Sequence, residues 1–180
     1  MPTMYRYGSY NYGESEELNA KLLEIFYEGK ESSFLIVLPN DVEGLKDLET
    51  KMKDIEILDR EIQKMTVNDV NVYIPKFKIE TTTDLVDVLK SVGIRHLFGN
   101  ARLEKLIKGE NDLTLSSGIQ KAFIEVDEEG AEAAAANAFI VSITSVSVNL
   151  DPIYEFKADK PFYFELRVKG KRLFNGVFHQ

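Results

Sequence analysis

Along the 180-residue chain the spacing of hydrophobic and polar positions changes several times, and each change predicts an element. The opening stretch is rich in tyrosine and polar residues, with Gly8 and Gly13 as candidate turns. Residues 21–27 read as a strand leading into Glu28-Gly29-Lys30, a hairpin-style turn. Residues 34–38 form a continuous apolar run stopped by Pro39-Asn40-Asp41. A short run of that kind is the pattern of a strand covered on both faces. Asn40 or Asp41 is placed to cap a helix carrying Leu45, Leu48 and Met52 at helical spacing.

Residues 70–79 alternate, but Val70, Val72 and Ile74 share one parity while Phe77 and Ile79 take the other. The slip falls at Pro75, which cannot donate to a ladder, and predicts a bulge or an edge. Thr83 or Asp84 then caps a short helix with Leu85, Val88, Leu89 and Val92, closed by Gly93. Residues 113–126 read as a long strand in which Ile119, Phe123, Ile124 and Val126 are expected to be buried. Residues 161–168 and 172–178 predict an antiparallel hairpin joined by the tight turn Lys169-Gly170-Lys171. No internal repeat, linker or composition break divides the chain.

Composition narrows the chemistry without naming it. A hydrophobic content of 44% allows a sizeable core. Twenty-two basic residues against thirty acidic ones give a net charge of −8. That balance argues against a nucleic-acid surface, which needs a basic stripe to replace phosphate counterions. With no cysteine, disulfides, thiolate catalysis and cysteine-based metal sites are excluded. The two histidines, His96 and His179, leave little material for metal ligation, so no metal and no cofactor is expected. His96 has no Ser, Asp or Glu in an evident motif with it and is read as structural. No apolar run approaches the roughly 18–20 residues that span a bilayer, so no membrane partner is expected. The first residues hold no signal-peptide core.

One segment conflicts with its surroundings. Asp127-Glu128-Glu129-Gly130 leads into Ala131-Glu132-Ala133-Ala134-Ala135-Ala136-Asn137-Ala138, and a strongly strand-forming stretch, residues 139–148, follows. A short helix is one reading, since alanine has the highest helix propensity. Such a helix would present no apolar face larger than methyl groups, and Gly130 falls at its first turn. The other reading is a segment with two homes, exposed as a loop and later inserted in a sheet. Small side chains enter a crowded sheet without overpacking it, and Gly130 serves as the hinge. The adjacent carboxylates Asp127, Glu128 and Glu129 could also suggest acid–base catalysis, but neighbours on a strand point in different directions and read as a solvated turn.

Several separated motifs carry a resemblance. Glu128-Glu129-Gly130-Ala131-Glu132-Ala133-Ala134-Ala135-Ala136 resembles the hinge of an inhibitory serpin. Phe156-Lys157-Ala158-Asp159-Lys160-Pro161-Phe162-Tyr163-Phe164 resembles that family's carboxy-terminal signature, and Phe174-Asn175-Gly176 its closing motif. Pro2-Thr3-Met4, Leu38-Pro39-Asn40, Pro75-Lys76-Phe77, and Asp84-Leu85 through Leu97-Phe98 follow in the family's order. The wording of the hinge is most similar to insect, particularly lepidopteran, serpins. The resemblance covers residues 1–180 as the carboxy-terminal half of a single serpin domain, with residues 127–155 as hinge and reactive-centre loop. It implies an α+β fold, mostly antiparallel β-sheet with a few short helices in this half. The helical amino-terminal half is then a required partner absent from this chain.

The resemblance further implies a protease inhibitor, not an enzyme. The target protease attacks the loop, an acyl intermediate forms, and the freed loop inserts into the central sheet, trapping the protease. Carrying over the usual spacing places the scissile bond between Thr144 and Ser145, with Ile143 and Val146 bounding the window. Ala131 is small and neutral, which favours an inhibitor over a carrier or storage serpin. Between Ala122 and Phe156 there is no Lys or Arg, which disfavours a trypsin-like target. Thr144 suits an elastase-like or chymotrypsin-like serine protease, while Ile143 would suit a papain-like cysteine protease. Gln120-Lys121-Ala122 stands where many serpins have His-Lys-Ala, so Gln120 is expected to retune sheet opening. The family also implies an extracellular protein, an intracellular form remaining open.

Overall fold

In a computed structural model that describes residues 2–99, 115–127 and 152–179, the described residues form nine strands, three short α-helices and one 3-10 turn. Strands and helices together make the expected α+β structure. They separate into two compact units, one drawn from residues 1–76 and 127–180, the other from residues 77–126.

The first unit is built on a seven-stranded sheet. Its strands are β1 (Thr3–Ser15), β2 (Ala20–Phe26), β3 (Ser32–Pro39), β4 (Thr66–Pro75), β7 (Tyr154–Lys157), β8 (Phe162–Val168) and β9 (Lys171–Phe178). The order is β7-β4-β1-β2-β3-β8-β9, antiparallel throughout except for the parallel pair β4–β7. Two expected hairpins are present: Gly29 and Lys30 turn β2 into β3, and Lys169 and Gly170 turn β8 into β9, all four at positive φ. As the apolar run predicts, β3 is buried on both faces, flanked by β2 and β8.

Helices α1 (Leu45–Lys51) and α2 (Ile55–Lys64) cover one sheet face. Leu45, Leu48 and Leu58 join Leu22, Leu35, Val37 and Tyr163 in one buried cluster, with Met52 packed against it. Neither Asn40 nor Asp41 caps α1. Gly44 occupies the N-cap without a side-chain bond, while Asn40 donates to Asn19 and Asp41 accepts from Asn19. Helix α2 has no counterpart among the expected elements. Asp54 caps it by accepting from the Glu56 N–H at 3.0 Å.

Gly8 and Gly13 lie inside β1, not in turns. Ten residues of β1 pair with β4, and its last five pair with β2. At Gly13 a Cβ would come within 3.0 Å of Met65 Cγ, so the missing side chain makes room for a neighbour. The slip at Pro75 is a change of sheet, not a bulge. β4 ends there, at the last rung of its ladder with Thr3, and β5 (Phe77–Asp84) belongs to the second unit.

That second unit is a two-stranded antiparallel sheet, β5 with β6 (Ile119–Val126), plus α3 (Leu85–Ser91) and a 3-10 turn at His96–Phe98. Asp84 caps α3 through the Val86 N–H at 2.9 Å, and Gly93 closes it at φ +95°. β6 is shorter than expected, because residues 115–118 are not strand. The burial expected along it also needs correction. Ile119 and Phe123 are 64% and 57% exposed, and Ile124 and Val126 are half-buried. The four cannot share one face of a pleated strand: Ile119 and Phe123 fall with Lys121 and Glu125, Ile124 and Val126 with Ala122.

Candidate reactive loop and its supports

The hinge (Glu128 to Ala136) and the reactive window (Ile143, Thr144, Ser145, Val146) lie outside the described residues. The structure shows how the chain is held on either side of them. On the entry side, β6 pairs with β5 over eight positions, from Phe77 opposite Val126 to Asp84 opposite Ile119. Lys78 extends over the Phe123 ring at 4.7 Å and pairs with Glu80 at 3.4 Å. Gln120, the expected sheet-opening residue, is exposed and stands opposite Thr83. Among the described residues β6 has β5 as its strand partner and no strand on its other edge. That edge carries backbone donors and acceptors that a further strand could satisfy.

The exit side is clamped. β7 lies parallel to residues 70–73 of β4. Phe156 is fully buried, and the Ala158 N–H donates to the Tyr73 carbonyl at 2.9 Å. The Tyr154 ring packs against Tyr12 with centroids 4.8 Å apart and the planes tilted by 37°. Burial, reinforced by a hydrogen bond to Glu14, raises the Tyr12 hydroxyl and keeps it protonated. Lys157 pairs with Glu155 at 3.0 Å and extends over the Tyr73 ring at 5.4 Å. Its ammonium is raised above the usual lysine value, chiefly by the hydrogen bond to Glu155. Further on, Lys160 Nζ donates to the Asn40 carbonyl at 2.6 Å. Residues 128–151 therefore run from a strand with one described partner to a strand locked by packing and polar bonds.

Among the described residues, the remaining sequence candidates do not come together. Asp127 is half-buried at the end of β6, and Glu128 and Glu129 lie outside the described residues. His96 is exposed in its 3-10 turn. No group of three or more metal-binding side chains occurs among the described residues, and no described helix is long and apolar enough to cross a membrane. What the sequence pattern missed is the exit clamp. β7 is only four residues long, too short to show a period, and the strand it pairs with is β4, about eighty residues earlier in the chain.

A family model described as Serpin (serine protease inhibitor) matches residues 1–180. The chain belongs to the serpin family. It is 51% identical over 180 residues to antichymotrypsin-2 and 49% identical over 179 residues to antitrypsin, both of Bombyx mori. Each match covers 99% of this chain, but only 47% and 45% of those serpins. The chain thus spans about half the length of the curated relatives it matches. The expected likeness to lepidopteran serpins is borne out. Among solved serpins, the crystal structure of Serpin48, "a highly specific serpin in the insect Tenebrio molitor", is 40% identical with a TM-score of 0.72, covering 97% of this chain and 44% of that one. Relatives named antitrypsin, antichymotrypsin and leukocyte elastase inhibitor are named as inhibitors and not as enzymes.

Proposed function

We propose that residues 1–180 are the carboxy-terminal half of a single inhibitory serpin domain and that residues 127–155 are its hinge and reactive-centre loop. The observation that carries the reading is the asymmetry of the supports. A run of small residues leaves a strand that has one edge without a described partner, and returns to a strand fixed by Phe156 and Tyr154. In this reading the protease nucleophile attacks the Thr144 carbonyl. The bond to Ser145 breaks, the Ser145 amine leaves carrying the nucleophile's proton, and the loop, joined through the Thr144 carbonyl to the acylated protease, is free to insert along β6. From Gly130 to Thr144 the chain advances fourteen residues, about 46 Å at 3.3 Å per residue, the length of a small domain. Insertion would relocate and distort the tethered protease faster than water releases it, so inhibition is a kinetic race.

The absence of Lys and Arg between Ala122 and Phe156 supports an elastase-like or chymotrypsin-like target. Ile143 beside Thr144 supports a second reading, a papain-like cysteine protease, which selects an apolar residue at that place. The compartment that fits such targets is extracellular. The test is incubation of the intact protein with elastase, chymotrypsin and papain, followed by denaturing electrophoresis and mass spectrometry of the released peptide. A complex that survives SDS, with a new amino terminus at Ser145 or within one residue of it, is the expected result. Cleavage without complex by all three would refute inhibition and leave a carrier or storage serpin.

A further inference from the structure

A cavity of about 320 Å³ opens in the first unit, where the end of α2 meets β1, β2, β4 and β7. Its base is stiff. Tyr12 and Leu22 are buried there, and Tyr154 of the exit strand packs against the Tyr12 ring at 4.8 Å. The rim is polar and includes Glu14, Glu61, Lys64 and Thr66. Two carboxylates thus face one ammonium. Glu61 is buried and paired with Lys64. Glu14 accepts the Tyr12 hydroxyl on Oε1. Its nearest described cation, Lys21, lies 3.8 Å from that same oxygen, beyond hydrogen-bond reach. Among the described residues, Glu14 Oε2 has no bonded partner. Helix α2 also ends here, at Lys64, and its last carbonyls add partial negative charge.

These features select among ligand classes. An anion would meet both carboxylates and the helix carbonyls. A wholly apolar molecule would strip water from the rim and leave its polar groups unmatched. A bare metal ion needs more ligands than two carboxylates, and no group of three or more such side chains occurs among the described residues. A cation with an organic body satisfies both parts of the site. Its charge pairs with Glu14, and its stem lies on the tyrosine rings, whose faces carry negative potential. The volume is at the lower end of the roughly 300–1,000 Å³ typical of ligand pockets, so the ligand is small.

We propose that this cavity binds a small organic cation, a guanidinium or ammonium on a short apolar stem, with Glu14 as its ion-pair partner and Tyr12 and Tyr154 against its stem. A guanidinium fits best, because its plane stacks on an aromatic ring while its edge pairs with a carboxylate. Tyr154 belongs to β7, so an occupied cavity ties the loop's exit strand to β1 and to the end of α2. The binding itself does not depend on the inhibitor reading.

The experiment uses the full-length protein and agmatine, a guanidinium and an ammonium joined by a short methylene chain, with butyrate as the anionic counterpart. Titration calorimetry should give saturable agmatine binding with a Kd on the order of 0.1–1 mM, and no binding of butyrate. Glu14→Gln removes the ion-pair partner, and Thr66→Arg places a competing cation on the exposed rim. Each is expected to weaken agmatine by about fivefold or more. Glu31→Gln, which removes a carboxylate paired with Lys169, is expected to leave it unchanged. Hydrogen exchange at residues 154–157 of β7 should slow in the agmatine complex. Absence of saturable binding to the folded wild type overturns the site, as does equal affinity for butyrate or for Glu14→Gln. An equal loss in Glu31→Gln would reveal diffuse attraction to the acidic surface and overturn it likewise. Should Glu14→Gln not fold, Thr66→Arg decides alone, because it keeps every carboxylate and both rings. Unchanged β7 exchange in the saturated complex overturns the tie to the exit strand.

Discussion

In the seven-stranded sheet, β3 has a hydrogen-bonded strand on each side and seven of its eight residues buried. In the two-stranded sheet, β6 has one described partner and no buried residue. The sequences explain the contrast. β3 carries Phe34, Leu35, Ile36, Val37 and Leu38 in succession, so both faces must be covered. β6 alternates Lys121, Phe123 and Glu125 with Ala122, Ile124 and Val126, enough for one half-buried face. A two-stranded sheet is marginal by itself in water. The first unit has collected its burial energy, whereas among the described residues β6 has an edge without a strand partner and no fully buried side chain. Under the proposed inhibitor function, β6 would receive the inserted loop and would need that capacity, and the loop's exit would need the opposite, a fixed post.

The largest effect that would sharpen this comparison belongs to the hinge. Ala131→Arg or Ala131→Pro in the intact protein is expected to stop strand insertion, so that most molecules are cleaved and released and the complex band on SDS gels is lost. Next comes the packed sheet. Leu35→Ala, at a fully buried position in β3, should cost about 3–4 kcal/mol in urea unfolding, whereas Thr82→Ala on exposed β5 should stay within about 0.5 kcal/mol. Equal costs would break the contrast.

Gly176→Ala tests packing where two strands meet. Its Cβ would lie 2.8 Å from Phe164 Cζ, and the expected loss is about 1–3 kcal/mol by the same measurement. The smallest effect is electrostatic. Burial pushes the Glu61 carboxyl up, but hydrogen bonds from Lys64 and Ser15 and the nearby charges of Lys64 and Arg60 outweigh it and hold it below its ordinary value. A lowered carboxyl gives stability that is complete above the unfolded-state value and lost as pH falls through the folded one. Glu61→Gln should therefore cost under about 1 kcal/mol at neutral pH, and the difference from wild type should vanish on acidification.

Much of this was legible from residue pattern. The apolar run of β3, the turns at Gly29 and Gly170, the Asp84 cap and the β8–β9 hairpin follow from local chemistry that tertiary context did not override. Helix α2 was not legible, because Glu61 is a buried carboxylate on its inward side and interrupts the apolar stripe of Leu58, Ile62 and Met65. The opening tyrosines concealed β1, since glycines at 8 and 13 read as turns when their purpose is to admit Tyr10 and Met65. At Pro75 the period showed that something changed but not that the chain left one sheet for another. For the loop, small residues after Gly130 gave the idea of insertion. The exit clamp depends on pairing between residues about eighty positions apart, which no local period encodes.

The most direct test of the central claim is hydrogen exchange of the β6 amides in the intact protein, before and after the loop is cut within residues 143–146. The expected result is a gain in protection along residues 120–126 after cleavage, with β3 unchanged and the melting temperature raised. Unaltered exchange in β6 after complete cleavage would mean that the loop does not join this strand, and would contradict the account.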